Sequence, residues 1–327
     1  MEIFRLLLRW FSLTVLAALI GAALATLIAD FFWFFDLFSH FRAQYVVAAI
    51  AVAILLFWLR PRSAALVALL LAGWHSYIYF DVPKARHADS CADTIHLMTF
   101  NLQYRNREKA AAIDALSLAR VDILVLEENW QDWAPHLDRL GDEYPHAAPE
   151  DWRDADGPTI LSRFPIVDAR IVRPFESASL DVDPARSAFA AAMWYLVARI
   201  EIREGGATVI AVHAPYPNGT FLTGLRNAYL EDVATLARAI DGPVIVAGDF
   251  NTTPWSPAFD PLFETAGLMS AGLPLMTWPS WFPPAGIPID HVLVNDRISS
   301  FGAGRGPDLG SDHLPVLASL CIDGGIR

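Results

Sequence analysis

Asn101 follows the apolar run LMTF, Glu128 follows ILVL, His213 follows VIAV, and Asp249 and Asn251 follow VIVAG. Two further apolar segments begin with residues of the same kind, at Asp290–His291 and Asp312–His313. Carboxylates bind hard cations or accept protons, imidazoles exchange protons near neutrality, and amides donate hydrogen bonds to developing negative charge. Gathered at strand tips, such groups make a site for metal binding and proton transfer that a rigid sheet can hold in place. Singly, each has a plainer reading. Asp249 and Asn101 are turn residues, His213 is a hydrogen-bonded structural histidine, and Glu128 is a solvated strand end with Glu127 competing for its place. The unit GDFN followed by TTPWSP, and the joint order Asn, Glu, His, Asp-x-Asn, Asp-His, Ser-Asp-His, favour the functional reading.

Strands must carry these tips. Apolar segments at 94–103, 121–129, 158–172, 192–202, 207–217, 243–251, 289–295 and 313–322 have strand character, and 106–120 and 223–240 have helical spacing. A Gly-rich loop, FGAGRGPDLG, is expected before Ser311-Asp312-His313. The sequence has no internal repeat, low-complexity tract, Gly-rich phosphate loop or zinc-type Cys/His spacing. The pattern is that of one mixed α/β domain.

That domain does not fill the chain. Of 327 residues 54% are apolar and the mean hydropathy is +0.34, too high for an ordinary soluble protein. The excess lies in three runs, 10–29, 43–59 and 63–80, each long enough for a bilayer-spanning helix. A cleaved signal peptide competes for the first run, and a buried helical hairpin turned at RPR for the other two. The organisation expected is a membrane domain over 1–81, a linker over 82–92 and a catalytic domain over 93–327. Arg5, Arg9, Arg60 and Arg62 place the N-terminus and the RPR turn in the cytoplasm and the catalytic domain outside, in the periplasm, of an inner or plasma membrane; Lys84 and Arg86 weigh the other way. His75, beside Trp74 and Tyr77, reads as a snorkelling interfacial residue. Residues 1–86 hold 7 of the 24 basic and 4 of the 36 acidic side chains, leaving the remainder at −15. Such a domain, without a basic stripe, is poorly suited to long nucleic acid. Nothing in the sequence points to a protein partner.

TFNLQ, DILVLEEN, GPTILSRFPI, VHAPYPN, GDFN, IDHVLV and GSDHLPV occur in an order that resembles the endonuclease/exonuclease/phosphatase superfamily of metal-dependent phosphohydrolases, over about residues 93–322. The nearest resemblance is to its bacterial membrane-anchored members. It implies a four-layer α/β/β/α sandwich of two mixed sheets flanked by helices, here preceded by three transmembrane helices. It also implies roles. Glu128 is the main metal ligand, with Asn101 beside it and Asp312 nearby, an oxygen-rich set suited to Mg²⁺ or Mn²⁺. Asp249 orients or deprotonates the attacking water, and Asn251 hydrogen-bonds a phosphoryl oxygen. His313 faces the scissile phosphate, held and kept protonated by Asp290. His213 lies near the phosphate, and Asn218 contacts substrate. Two departures stand out: Glu127 replaces a usual Gln, and His291 replaces a usual aromatic, which puts the pocket shape there in question.

The substrate stays open among a phospholipid headgroup, nucleic acid and a small phosphoester. Trp278 and Trp281 are candidates for gripping it, and Trp255 and Phe282 flank the same strands; a packed lid is the plainer reading of these aromatics. If Asn101 and His313 lie side by side on antiparallel strands, Cys91 and Cys321 come close enough for a disulfide, which suits an oxidising compartment; two buried thiols are the alternative. The alternative function is a catalytically inactive extracytoplasmic binding module on the same fold.

Overall fold

Strand periodicity decides where the polar tips point. In the computed structural model, which describes residues 1–91, 94–152, 157–176, 182–202 and 205–322, the strands are β1 (Thr94–Asn101), β2 (Ile123–Glu127), β3 (His146–Ala148), β4 (Thr159–Ser162), β5 (Ile166–Val172), β6 (Tyr195–Ile200), β7 (Ala207–His213), β8 (Val244–Asp249), β9 (Met269–Ser270), β10 (Asp290–Val294), β11 (Ile298–Arg305) and β12 (Val316–Ile322). They form two mixed six-stranded sheets, ordered β11-β12-β1-β2-β4-β3 and β5-β6-β7-β8-β10-β9. β1 pairs with β2 and β7 with β8 in parallel, while β1 with β12 and β8 with β10 are antiparallel.

Alternate residues supply three cores. Ile95, Leu97, Ile123, Val125, Val209, Ile245, Ala247 and Val292 fill the space between the sheets. Met98, Phe100, Leu124 and Leu126 face outwards onto Ile113 and Leu116 of the helix Lys109–Leu118. Ile210, Val212, Val244 and Val246 face outwards onto Tyr229, Leu230 and Val233 of the helix Gly219–Ala239. The result is the four-layer α/β/β/α sandwich.

The segment 158–172, expected as one strand, is divided at Arg163–Pro165 into β4 and β5, which belong to different sheets. Proline has no N–H for a ladder, so the chain changes sheets there. Residues 298–305 reach into the expected Gly-rich loop yet pair with β12 as an edge strand, with a register shift between Ser300 and Gly302. Glycine weakens the strand signal, but Ile298, Ser299 and Ser300 are buried and fix the pairing. The short strands β3 and β9 had no periodicity to reveal them.

Cys91 and Cys321 form a disulfide, with Cα atoms 5.8 Å apart and a sequence separation of 230. Closing so long a loop restricts the unfolded chain, a contribution of about 2–5 kcal/mol. Cys321→Ser in the full-length protein is therefore expected to lower the thermal midpoint, and reductant to lower the wild type alone; equal midpoints for both proteins without reductant would contradict this.

Contacts divide the chain into two units, residues 83–252 with 258–327, which hold the sheets, and Met1–Val82 with Thr253–Pro257. The latter has three helices long and apolar enough to cross a membrane: Glu2–Thr26, Trp33–Trp58 and Arg62–Phe80. The first begins before the apolar run does, because Arg5 and Arg9 are good helix formers that extend it. Small residues, including Ala49, Ala53, Ala65 and Ala68, let these helices pack closely around Leu16, Leu19 and Leu56. His75 is fully buried, not snorkelling: its Nδ1 lies 3.2 Å from Nη1 of Arg42, and its ring centre is 4.9 Å from that of Tyr45. Trp255 also belongs to this unit, its ring centre 5.1 Å from that of Tyr79, so it is not free to flank the catalytic strands.

Candidate active site

The parity that sends Ile95, Leu97, Ile123, Val125, Ile245 and Val292 between the sheets also points Asn101, Glu127, His213, Asp249 and Asp290 inwards. Parallel register sets Asn101 opposite Glu127 and His213 opposite Asp249, and antiparallel register sets Asp290 opposite Asp249. The polar tips thus meet at one end of the sandwich, where both sheets contribute.

Asp249 is the hub. Its Oδ1 accepts the Asn251 backbone N–H at 2.8 Å, and its Oδ2 accepts from Nδ2 of Asn101 and Nδ2 of Asn251, each at 3.2 Å. Nε2 of His313 and Nε2 of His213 stand 3.8 and 3.9 Å from the same Oδ2. Burial pushes the Asp249 carboxyl up to about 7, with His313 and these hydrogen bonds pulling against it. Such a group exchanges a proton near neutral pH.

His313 is held by Asp290, whose two carboxylate oxygens lie 2.9 and 3.1 Å from Nδ1. Nδ1 therefore carries a proton. Burial disfavours the charged imidazole, but Asp290 and Asp249 outweigh it and raise His313 to about 10, leaving a protonated Nε2 directed at Asp249. Ser311 ties the His313 segment to β1: its hydroxyl donates to the Asn101 carbonyl at 2.7 Å and accepts the His313 N–H at 3.0 Å. His213 is lowered by burial, with Glu128 opposing and His313 reinforcing.

Glu128 and Asn251 have left-handed backbones, with φ of +54° and +48°. Side-chain-bearing residues rarely adopt that region, and such strain concentrates at functional sites. The kink after β2 lets Glu127 point inwards while Glu128 turns back to the same mouth, where its Oε1 accepts from Nδ2 of Asn101 at 3.3 Å and its Oε2 accepts the Tyr104 N–H at 3.2 Å. Gly248 makes the approach of β8 to β7 possible. It has φ of +145°, and a Cβ there would lie 1.9 Å from the Val212 carbonyl oxygen. Gly248→Ala is expected to cost more than the ordinary strain of about 1–3 kcal/mol and to displace Asp249. A thermal melt of that variant indistinguishable from wild type would contradict this.

Glu127 was the less favoured of the two acids in the sequence, yet it is fully buried within the ring. Thr99 Oγ1 donates to its Oε1 at 2.9 Å, and its Oε2 has no hydrogen-bond partner among the described residues. Burial, with Asp290 and Asp249 nearby, raises it well above its ordinary value, against the opposing Thr99 hydrogen bond and His313. Strand parity was the signal for it.

Asp312 lies one residue from His313, half-buried, and its Oδ2 accepts Nε1–H of Trp278 at 3.2 Å; no hydrogen bond or ion pair joins it to Glu128 or Asn101. Trp281 is 77% exposed and stacked on Phe282, without a polar contact to the ring. Asn218 is exposed at the start of the helix Gly219–Ala239, and its side chain makes no hydrogen bond to the site. His291 points to the opposite face from Asp290. Its Nε2 donates to the Thr252 carbonyl at 3.1 Å, and its ring packs on Phe250 and Phe259. Burial lowers it to about 4, so it supports the GDFN segment as a neutral ring and does not shape the pocket.

A divalent cation fits this donor set. The carboxylates of Glu128, Asp249, Asp290 and Asp312 are set against the His313 imidazolium, an excess of negative charge carried on hard oxygen ligands. Asp249, Asp290 and His313 each offer a ligand atom within 4.8 Å of the others, a buried trio different from the expected Glu128, Asn101 and Asp312. His313 and Asp290 already bond each other, and the half-buried Glu128 is a further carboxylate that could serve as a ligand.

The model of the Endonuclease/Exonuclease/phosphatase family matches residues 98–313. Among solved structures, an endonuclease/exonuclease/phosphatase from Bacteroides vulgatus superposes with a TM-score of 0.57 at 16% identity, covering 70% of this chain and 99% of that one. Sphingomyelinase C from Streptomyces griseocarneus gives 0.51 at 18% identity, covering 70% and 99%. A doubly substituted beta toxin from Staphylococcus aureus with bound magnesium ions gives 0.51 at 15% identity, covering 69% and 99%. No curated protein matches the chain in sequence.

Proposed function

The chain belongs to the endonuclease/exonuclease/phosphatase family, and on that premise we propose that it is a divalent-metal-dependent phosphoester hydrolase of the phosphodiesterase or nuclease type, anchored in a membrane by its N-terminal helices. The observation that carries the proposal is the hub at Asp249, a carboxyl near neutral pKa between a bonded Asn251 and a protonated His313.

In this reading Asp249 takes the proton of a water attacking phosphorus in line with the leaving oxygen, which departs as the P–O bond breaks and takes its proton from solvent. His313, oriented by Asp290, donates through Nε2–H to the phosphoryl group as charge builds, and Asn251 and His213 add donors beside it. Asn101 positions both Asp249 and Glu128. Glu128, with Asn101 and Asp312, would hold Mg²⁺ or Mn²⁺, which supplies charge neutralisation at the phosphoryl oxygens. The beta toxin with bound magnesium supports that identity by fold. An intact ring of these residues argues against an inactive binding module, since binding alone does not call for a proton-transfer pair. The disulfide and the arginines of the N-terminal unit support an extracytoplasmic catalytic unit.

The test is cation removal. Full-length protein in detergent, assayed on a chromogenic phosphodiester, is expected to fall to background in EDTA and to recover with Mg²⁺ or Mn²⁺. Undiminished turnover in EDTA would overturn the proposal.

A further inference from the structure

Tyr104 and Trp130 are 38% and 39% exposed, yet their rings stack on each other with centres 5.2 Å apart and planes 26° from parallel. Tyr104 is three residues past Asn101, and Trp130 two past Glu128. The Tyr104 N–H binds Glu128 itself, so the stack is rooted in the candidate metal ligand. It is also pre-organised. Nζ of Lys109 donates to the carbonyls of Tyr104 and Asn106 at 3.1 and 2.7 Å, and Nε1 of the buried Trp133 donates to the Gln103 carbonyl at 3.4 Å. The Arg105 guanidinium lies over the Tyr104 ring, 5.0 Å from its centre, with no ion pair to a carboxylate among the described residues.

Resting on the reading of the site as a phosphoesterase, we propose that this stack is a subsite for a nucleobase-like planar ring, and that the substrate is a small nucleotide phosphoester. A stacked aromatic pair offers a flat π-face, to which bases bind irrespective of sequence. The cation already on Tyr104 disfavours a positively charged headgroup and suits a neutral ring that carries phosphate. A single platform on a domain whose residues 87–327 together carry a net charge of −15 suits one nucleotide and not a polymer.

The experiment is calorimetric titration of the full-length protein in detergent with adenosine 5′-monophosphate and with ribose 5-phosphate, for wild type, Trp130→Ala and Trp130→Phe. Wild type is expected to prefer the nucleotide about tenfold or more. Trp130→Ala should erase that preference without weakening ribose 5-phosphate, and Trp130→Phe should retain it, which separates lost stacking from misfolding. Equal affinities in wild type, no binding of either probe, equal losses for both in Trp130→Ala, or tighter binding of phosphocholine than of the nucleotide would each overturn the proposal. Heat of binding requires no turnover. A protein that binds the nucleotide preferentially but hydrolyses no phosphoester would therefore refute the enzyme reading and leave the ring-binding result standing.

Discussion

Asp249→Asn is expected to lower kcat on a phosphodiester by about 10²–10⁴-fold, the range for loss of a positioned general base, with little change in KM. The amide is nearly isosteric with the carboxylate and still accepts the Asn251 N–H, so the GDFN turn is expected to survive. What it loses is the ability to take a proton near pH 7. Unchanged near-ultraviolet circular dichroism would show that the fold is intact. A variant within about twofold of wild-type kcat would remove Asp249 from the chemistry and leave it as a turn residue.

The second large effect is on pH dependence. The proposed base must be deprotonated and the proposed donor protonated, so kcat/KM should rise as Asp249 ionises through about 7 and fall as His313 deprotonates through about 10. A cation bound beside Asp249 moves the lower limb towards acid. The upper limb depends on Asp290, which holds Nδ1 of His313 at 2.9 Å. In Asp290→Asn that support is gone while burial still disfavours the charge, so the upper limb should move down towards the ordinary histidine value of about 6.5. Activity at pH 8, about 1.5 units above that value, should then fall by up to about 30-fold. An upper limb that stays where it was would mean that a group other than His313 donates to the phosphoryl oxygen.

The sequence disclosed much of this because period-two strands leave little freedom. Once VIVAG is a buried strand, the parity that takes Ile245 and Ala247 between the sheets takes Asp249 there as well, and the same holds for Asn101, His213 and Asp290. The choice between Glu127 and Glu128 stayed open because it turns on a left-handed residue at Glu128, a backbone state that neither its type nor its neighbours signal. Strand β11 was hidden by its glycines, whose place is an edge held by pairing with β12 and not by apolar alternation. His75 looked interfacial beside Trp74 and Tyr77, but a partner 33 residues away in sequence, Arg42, holds it inside. Tyr104 and Trp130 sit in separate loops, and only the parallel pairing of β1 with β2 brings those loops together.

Attack on phosphorus by water activated at Asp249 is the core of the proposed reaction. It is tested most directly by running the Mg²⁺-supported hydrolysis of a phosphodiester in ¹⁸O-labelled water and weighing the products. A single labelled oxygen is expected in the phosphoryl product and none in the released alcohol, with Asp249→Asn forming the same product far more slowly. Label in the alcohol, or no hydrolysis across diester, monoester and lipid phosphoesters, would contradict it.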